Sequence, residues 1–455
     1  MDIVYNHQRR TLSVTQTVTY RNRSNIAKSE VKFHIFANAF REGAQFPPVS
    51  QNEIATAFPN GKSFGHIDIG RTAVDGASIL PQIGGEDENL LIVPLPTPLA
   101  PNATTTIDIF YTVHLANIAH RLGYTDRVVN LGNFYPVPVM FDSEWLPNTY
   151  SYNGDPFFNA LHNFDVTITK PRDMVMASSG VVIRETKTST TRTTTIQSRA
   201  IRDWAAVLSP HLQSMTRFVG RTAVHYYFLD DADPIRSLEV AVRSLETFSR
   251  LFVRFPYRVM TVVQTDFLHG GMEFGEIVFI AANITNREDI DRVIIHEMAH
   301  QWWYGIIGND QVRTAWIDEG LAEYSTLLFF DENPDLFMGT RRDYINMFRS
   351  NLASFTRLVR GIGAPLDKNM NRHLNEFNSQ YEYVYMAYVR GMLLFADLEM
   401  MIGREYMVRS LAHFARAQMF GIATQKNLLE SFEQVTTFSL GLFFESYLLG
   451  LGVSH

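Results

Sequence analysis

The run His296-Glu297-Met298-Ala299-His300 combines two imidazoles and a carboxylate at a spacing that could hold a metal and activate water. Four residues advance a helix by about 400°, so His296 and His300 project from one face about one turn apart and can share an ion through their ring nitrogens. A catalytic zinc takes three protein ligands and leaves one position open, so a third donor must come from elsewhere in the chain. Glu319, separated from His300 by the eighteen residues Gln301 to Asp318, supplies it. Glu323 stands one helical turn further on, where it could accept a hydrogen bond from a ligand imidazole and aim the correct nitrogen at the metal. Glu297 is rotated by about 100° from its neighbouring histidine, over the open position rather than on the ion. The chemistry this predicts is hydrolysis, with one Zn2+ per chain held by His296, His300 and Glu319, and with Glu297 as the general base that takes a proton from water. His34, His162, His211 and His413 lack ligand-like spacing and are read as packed or surface residues.

These side chains need rigid carriers. Val293-Ile294-Ile295 before the histidines and Gln301-Trp302-Trp303 after them predict one buried helix, and Trp316 to Tyr324 predicts the start of a second. Between them, Gly305 to Asp310 holds two glycines and Asn309, enough to reverse the chain and set the helices face to face. Upstream, Thr11 to about Gln213 alternates with the two-residue period of half-buried strands, as in Leu12 to Tyr20 and Phe164 to Ile168. Turn signals at Asn60-Gly61, Gly84-Gly85 and Asn153 to Pro156 divide those strands, and the threonine-rich stretch Thr186 to Thr195 reads as a solvated hairpin. After Asp233-Pro234, residues Ile235, Leu238, Val242, Leu245 and Phe248 fall at helical spacing. The expected fold is therefore α+β: an antiparallel β-sandwich or saddle over 1–215, then a mainly helical catalytic domain over 216–455, with the halves packed together. No internal repeat is seen.

A chain of 455 residues with 46% hydrophobic side chains can fill more than one core. Its formal net charge of −7 and lack of basic runs argue against nucleic acid as a partner. Cysteine is absent, which excludes thiolate ligands, cysteine nucleophiles and disulfides. The longest apolar stretch, Met386 to Met401, is broken by Arg390, Asp397 and Glu399 and reads as a buried helix, so no membrane span is expected.

The metal-binding pattern and Trp316-Ile317-Asp318-Glu319-Gly320-Leu321-Ala322-Glu323-Tyr324 resemble the gluzincin aminopeptidases, the family of aminopeptidase N and leukotriene hydrolase, with Asp318 where asparagine is usual. Gly270-Gly271-Met272-Glu273-Phe274 is similar to the family's G-[AG]-M-E-N motif. By that resemblance Glu273 binds the free α-amino group of a peptide, and Gly270, Gly271 and Met272 line the substrate as an edge strand. Phe274 replaces the usual asparagine, so that side chain's substrate contacts do not carry over. Tyr388-Val389-Arg390-Gly391 resembles the segment whose tyrosine donates to the developing oxyanion, which assigns that role to Tyr388 ahead of Tyr381, Tyr383 and Tyr385.

The resemblance implies a thermolysin-like catalytic domain and peptide substrates with a free N-terminus. A further polar anchor for the amine is expected from Asn130 to Pro136 or from Asp142 to Glu144. The chain stops just past Phe443 to Tyr447, which gives the expectation of a short form without the family's large C-terminal helical domain. It begins almost directly in a strand, so either an upstream signal or anchor has been removed from an extracytoplasmic or tethered protein, or the protein is cytoplasmic. Two other functions stay open on the sequence: a metalloendopeptidase that cuts internal bonds, and a catalytically idle peptide-binding protein.

Overall fold

The computed structural model describes residues 1–337 and 339–451. Its first half is built on an eight-stranded sheet in the order Val181–Lys187, Thr191–Ile201, His162–Pro171, Asp2–Asn6, Thr11–Arg21, Thr104–His114, His66–Val74, Ala77–Ile79. Only the pairing of Asp2–Asn6 with His162–Pro171 is parallel. The two-residue period seen in the sequence decides which face is buried: Ile107, Ile109, Tyr111 and Val113 enter the core, while Asp108, Phe110, Thr112 and His114 between them face outward. Two four-stranded sheets complete this half, and their inner faces share one core with the large sheet. The threonine-rich hairpin forms as expected. Thr169 and Thr193 are joined through their hydroxyls at 2.9 Å across the ladder.

The region after residue 215 does not pass directly into helices. It opens with a five-stranded sheet in the order Gln213–Val219, Thr222–Phe228, Val259–Thr265, Ile277–Ala281, Gly271–Met272, into which helix Pro234–Leu251 is inserted. The central strand Val259–Thr265 runs parallel to both neighbours, and all seven of its residues are buried. Such a strand has no polar face, so it shows no alternation that a sequence pattern could reveal. Met260 and Val262 join the helical core on one side of this sheet, while Val263 joins the β core on the other. Arg202 adds a second joint between the halves. Its buried guanidinium donates to the carbonyls of Asn159 at 2.9 Å and Gly421 at 2.7 Å, and also to that of Tyr304.

The helices that follow carry His296, His300 and Glu319. Arg287–His300 starts on an Asn286 cap, whose side chain accepts from the N–H groups of Glu288 and Asp289. It ends at His300, earlier than the apolar run suggests, because Gln301 leaves the helix and ties down the preceding strand connection. Gln301 donates to the Phe274 carbonyl at 3.0 Å and accepts from the Glu276 N–H at 3.0 Å. Helix Trp316–Glu332 crosses helix Arg390–Ile402 at a pair of glycines, where a β-carbon on Gly320 would lie 2.8 Å from the backbone of Gly391. Only two residues without side chains allow that approach, which brings the stretch before Gly391 onto the stretch before Gly320. Among the described residues no helix is long and apolar enough to cross a membrane.

Candidate metal centre and active site

Helix Arg287–His300 and helix Trp316–Glu332 bring His296, His300 and Glu319 to one point. The two Nε2 atoms are 3.0 Å apart, and Glu319 Oε2 lies 3.2 Å from His296 Nε2 and 3.1 Å from His300 Nε2. Donors bonded to one zinc at 2.0 to 2.2 Å in tetrahedral geometry stand about 3.3 Å from each other, so the three buried atoms match the edges of a zinc coordination polyhedron. The opposite ring nitrogens are held from behind: His300 Nδ1 is 2.9 Å from the Trp303 carbonyl, and His296 Nδ1 is 3.4 Å from Glu323 Oε1. Both contacts favour a proton on Nδ1 and a free Nε2. Tyr344 in turn donates to Glu323 Oε2 at 3.3 Å. With the acids this close, His296 is pushed up to about 10 by Glu319 and Glu323 against the cost of burial, and Glu319 is held down to about 2 by the two imidazoles against the same cost. A divalent cation satisfies the same acids with both imidazoles neutral.

Glu297 is buried, with Oε2 unpartnered, and its carboxylate lies against Gly271. Burial, reinforced by Glu319 and Asp155 and opposed by the two histidines, pushes its carboxyl up to about 7. Gly271 and Met272 form the edge strand of the five-stranded sheet, with one side paired to Ile277–Ala281 and the other free of any strand. Gly270 also pairs on the inner side, its carbonyl accepting from the Ala281 N–H at 2.9 Å.

Glu273 follows directly and points into the site, where one of its carboxylate oxygens lies within 4.8 Å of a His300 ring nitrogen. It accepts from Gln311 Nε2 at 2.7 Å, and the same nitrogen reaches Asp318 Oδ2 at 2.7 Å. Asp318 also accepts from Asn309 Nδ2 at 2.8 Å. Burial, with the nearby carboxylates of Asp155, Glu297 and Glu319, holds the Glu273 carboxyl well above its ordinary range. Phe274 turns away into the β core, edge-on to Phe279 at 5.1 Å and against the backbone of Gly132.

Tyr388 sits in a π-helical turn, Tyr385–Val389, between helices Gln380–Val384 and Arg390–Ile402. The wider turn rotates its ring onto that of His296, 5.6 Å away and nearly parallel, and its hydroxyl donates to Glu319 Oε1 at 2.7 Å. Tyr383 reaches the same oxygen at 3.4 Å, whereas Tyr381 is exposed and Tyr385 stacks on Phe355.

Of the two stretches expected to supply a further anchor, Asp142 to Glu144 is an exposed turn. Asn130 is fully engaged, donating to the carbonyls of His120 and Asp266 and accepting from Thr265. Asn133 is buried with both amide atoms unpartnered, next to the Gly132 backbone that packs on Phe274. The sequence reading passed over the buried ion pair of Arg121 with Asp155, which carries first-half charges up to Glu273, and over Gln311. Asp155 stands in the sequence only as part of a turn signal and Gln311 in no motif; their relevance arises only from where distant segments meet.

Two helices that converge a pair of imidazoles and an acid in this way, beside a second acid and an edge strand, give the arrangement that the gluzincin resemblance implies. Residues 236–447 match the peptidase family M1 domain. Similar curated proteins include Aminopeptidase M1-A of Oryza sativa subsp. japonica, 22% identical over 297 residues that span 62% of this chain and 33% of the relative. Aminopeptidase M1 of Arabidopsis thaliana is likewise 22% identical, over 59% of this chain and 32% of its own length. The chain thus spans about a third of the length of these relatives. The fold is similar to crystal structures of a mutant M1 zinc metallopeptidase from Deinococcus radiodurans. One has a TM-score of 0.68 at 15% identity, covering 100% of this chain and 93% of that one. Another, bound to a Tyr-Ser-Ala substrate, has a TM-score of 0.68 at 14% identity, covering 100% and 94%.

Proposed function

We propose that this protein is a zinc-dependent aminopeptidase that removes single residues from the free N-terminus of peptides, with residues 1–215 and 216–455 as its two structural units. The observation that carries the reading is the short distance between Glu273 and His300, whose nearest ligand-type atoms lie within 4.8 Å. An α-amino nitrogen and the carbonyl carbon of its own residue are only about 2.5 Å apart, two covalent bonds of roughly 1.5 Å each. An ammonium held by Glu273 therefore sets the first peptide carbonyl, and no later one, at the metal point. An arriving ammonium would favour the ionised carboxylate of Glu273, which burial and the nearby acids disfavour.

His296, His300 and Glu319 would hold the ion, which when bound lends Lewis acidity to a carbonyl and to a water. Glu297, beside the edge strand with one oxygen free, takes the proton of the attacking water and returns it to the departing amine. Tyr388, packed on His296, donates to the oxygen that gains charge as the carbonyl becomes tetrahedral. Gly270, Gly271 and Met272 extend the sheet to the substrate backbone.

Free and N-acetylated aminoacyl reporters, assayed with and without a chelator, test the reading. Chelator-sensitive hydrolysis of the free reporters alone is expected. Equal cleavage of blocked peptides at internal bonds overturns the aminopeptidase assignment in favour of an endopeptidase.

A further inference from the structure

On the outward face of the eight-stranded sheet, far from Glu319 in sequence, two histidines and an aspartate meet. His66 and Asp68 are two residues apart on strand His66–Val74, so both project to the same side. His114 lies directly opposite His66 in the ladder with strand Thr104–His114, and Asp68 is opposite Thr112. In an antiparallel pair, opposed β-carbons are about 5 Å apart, and a diagonal neighbour is within reach of a longer side chain. Three ligand-type residues at one position, its cross-strand partner and the next position along can therefore converge, and these do. Asp68 Oδ2 lies 3.4 Å from His66 Nε2 and 3.1 Å from His114 Nε2, and one donor atom from each of the three lies within 4.8 Å of the others. The two imidazoles lie side by side, with centroids 4.4 Å apart and planes 11° from parallel, so both Nε2 atoms point toward the same carboxylate oxygen.

We propose that His66, Asp68 and His114 form a second metal site, for a divalent transition-metal ion and by ligand chemistry for zinc, separate from the catalytic centre. The separations of 3.1 and 3.4 Å bracket the roughly 3.3 Å expected between donors that share a tetrahedral ion with bonds of about 2.0 to 2.2 Å. Two imidazoles and one carboxylate suit zinc, copper or nickel, whereas calcium and magnesium require oxygen donors throughout. Both histidines are half-buried and Asp68 is exposed, so the fourth position opens to solvent, where water or a donor from another molecule completes it. An ion there ties strand His66–Val74 to strand Thr104–His114 on the side of the sheet that ends in Ala77–Ile79. The site stands independently of the aminopeptidase reading, because none of its residues contributes to the catalytic centre.

The test is zinc stoichiometry on the untagged full chain, first loaded until hydrolysis saturates and then titrated calorimetrically with further Zn2+. The wild type is expected to take up one more equivalent. The double variant His66→Ala/His114→Ala should take up none while hydrolysing reporters at the wild-type rate, and Asp68→Ala should bind the extra equivalent roughly tenfold or more weakly. No further equivalent in the wild type, as for a trio joined only by hydrogen bonds, overturns the proposal. So does an extra equivalent that survives in the double variant.

Discussion

A β-carbon built on Gly271 would stand against the carboxylate of Glu297, well inside the 3.0 Å that non-bonded atoms require. The edge strand and the Glu297 side chain are thus packed so closely that only glycine fits between them. Gly271→Ala should push the Glu297 carboxylate out of line. A displacement of about 1 Å can cost roughly 100-fold in rate, so kcat is expected to fall by about that factor while zinc content stays unchanged. Kinetics paired with metal analysis check it, and an unaltered kcat would mean that Glu297 does not act from this position.

Removing the ion should abolish turnover and weaken the fold together. The three buried side chains proposed to hold it belong to helices Arg287–His300 and Trp316–Glu332, and without a cation their charges and lone pairs face one another. An ion that binds only the folded state stabilises it by mass action, about 2.7 kcal/mol at a hundredfold excess over Kd. Calorimetry with and without a chelator should show a lower Tm in the stripped protein, and Glu319→Gln should lose most of that difference.

Gln311 bridges Glu273 and Asp318 through a single amide nitrogen, at 2.7 Å to each. Gln311→Leu leaves two buried carboxylates without that donor, a loss of about 1 to 3 kcal/mol in stability. Because Glu273 then loses its orientation, KM for free aminoacyl substrates should rise more than kcat falls. Chemical unfolding and steady-state kinetics read the two effects separately.

Glu276, buried beneath the edge-strand turn, makes stability pH-dependent. Burial pushes its carboxyl from the ordinary 4.5 up to about 8, opposed by the Ser198 hydroxyl and the Gly180 N–H. The folded state therefore favours the protonated acid. This contribution is fully present below about pH 4.5 and is lost as pH rises through about 8. Glu276→Gln keeps the neutral form at every pH, so the variant's Tm should gain on the wild type steadily between pH 5 and 9. At 1.36 kcal/mol per pH unit the shift corresponds to at most about 5 kcal/mol. A Tm difference that does not change with pH would show that Glu276 ionises freely in the folded protein.

The cluster of His296, His300 and Glu319 was legible in the chain because helical geometry converts a spacing of four residues into a shared face, and because the intervening glycines permit a reversal. The alternating strands of the first half were legible for a similar reason: one face of each is wet. The strand Val259–Thr265 was not, since it is buried on both sides and carries no period. The spacing to Gly391 favoured Tyr388 over Tyr383 but said nothing of where its hydroxyl reaches. The π-helical turn, which shifts the phase of the helix, and the crossing of Gly320 with Gly391 bring Tyr388 to 2.7 Å from Glu319.

What the amino-acid order determined by itself is local: which residues share a helix face, which strands alternate, and which chemistry two imidazoles and nearby acids can do. What only the tertiary structure decided is which distant groups meet, namely Glu273 with Gln311 and Asp318, Glu297 with Gly271, the free amide of Asn133 beside the Phe274 joint, and His66 with His114 across a ladder. The physical reason is range. Backbone geometry correlates side chains over a turn or two of helix or a few strand residues, whereas contacts between remote segments are set by how whole sheets and helices bury their apolar faces together.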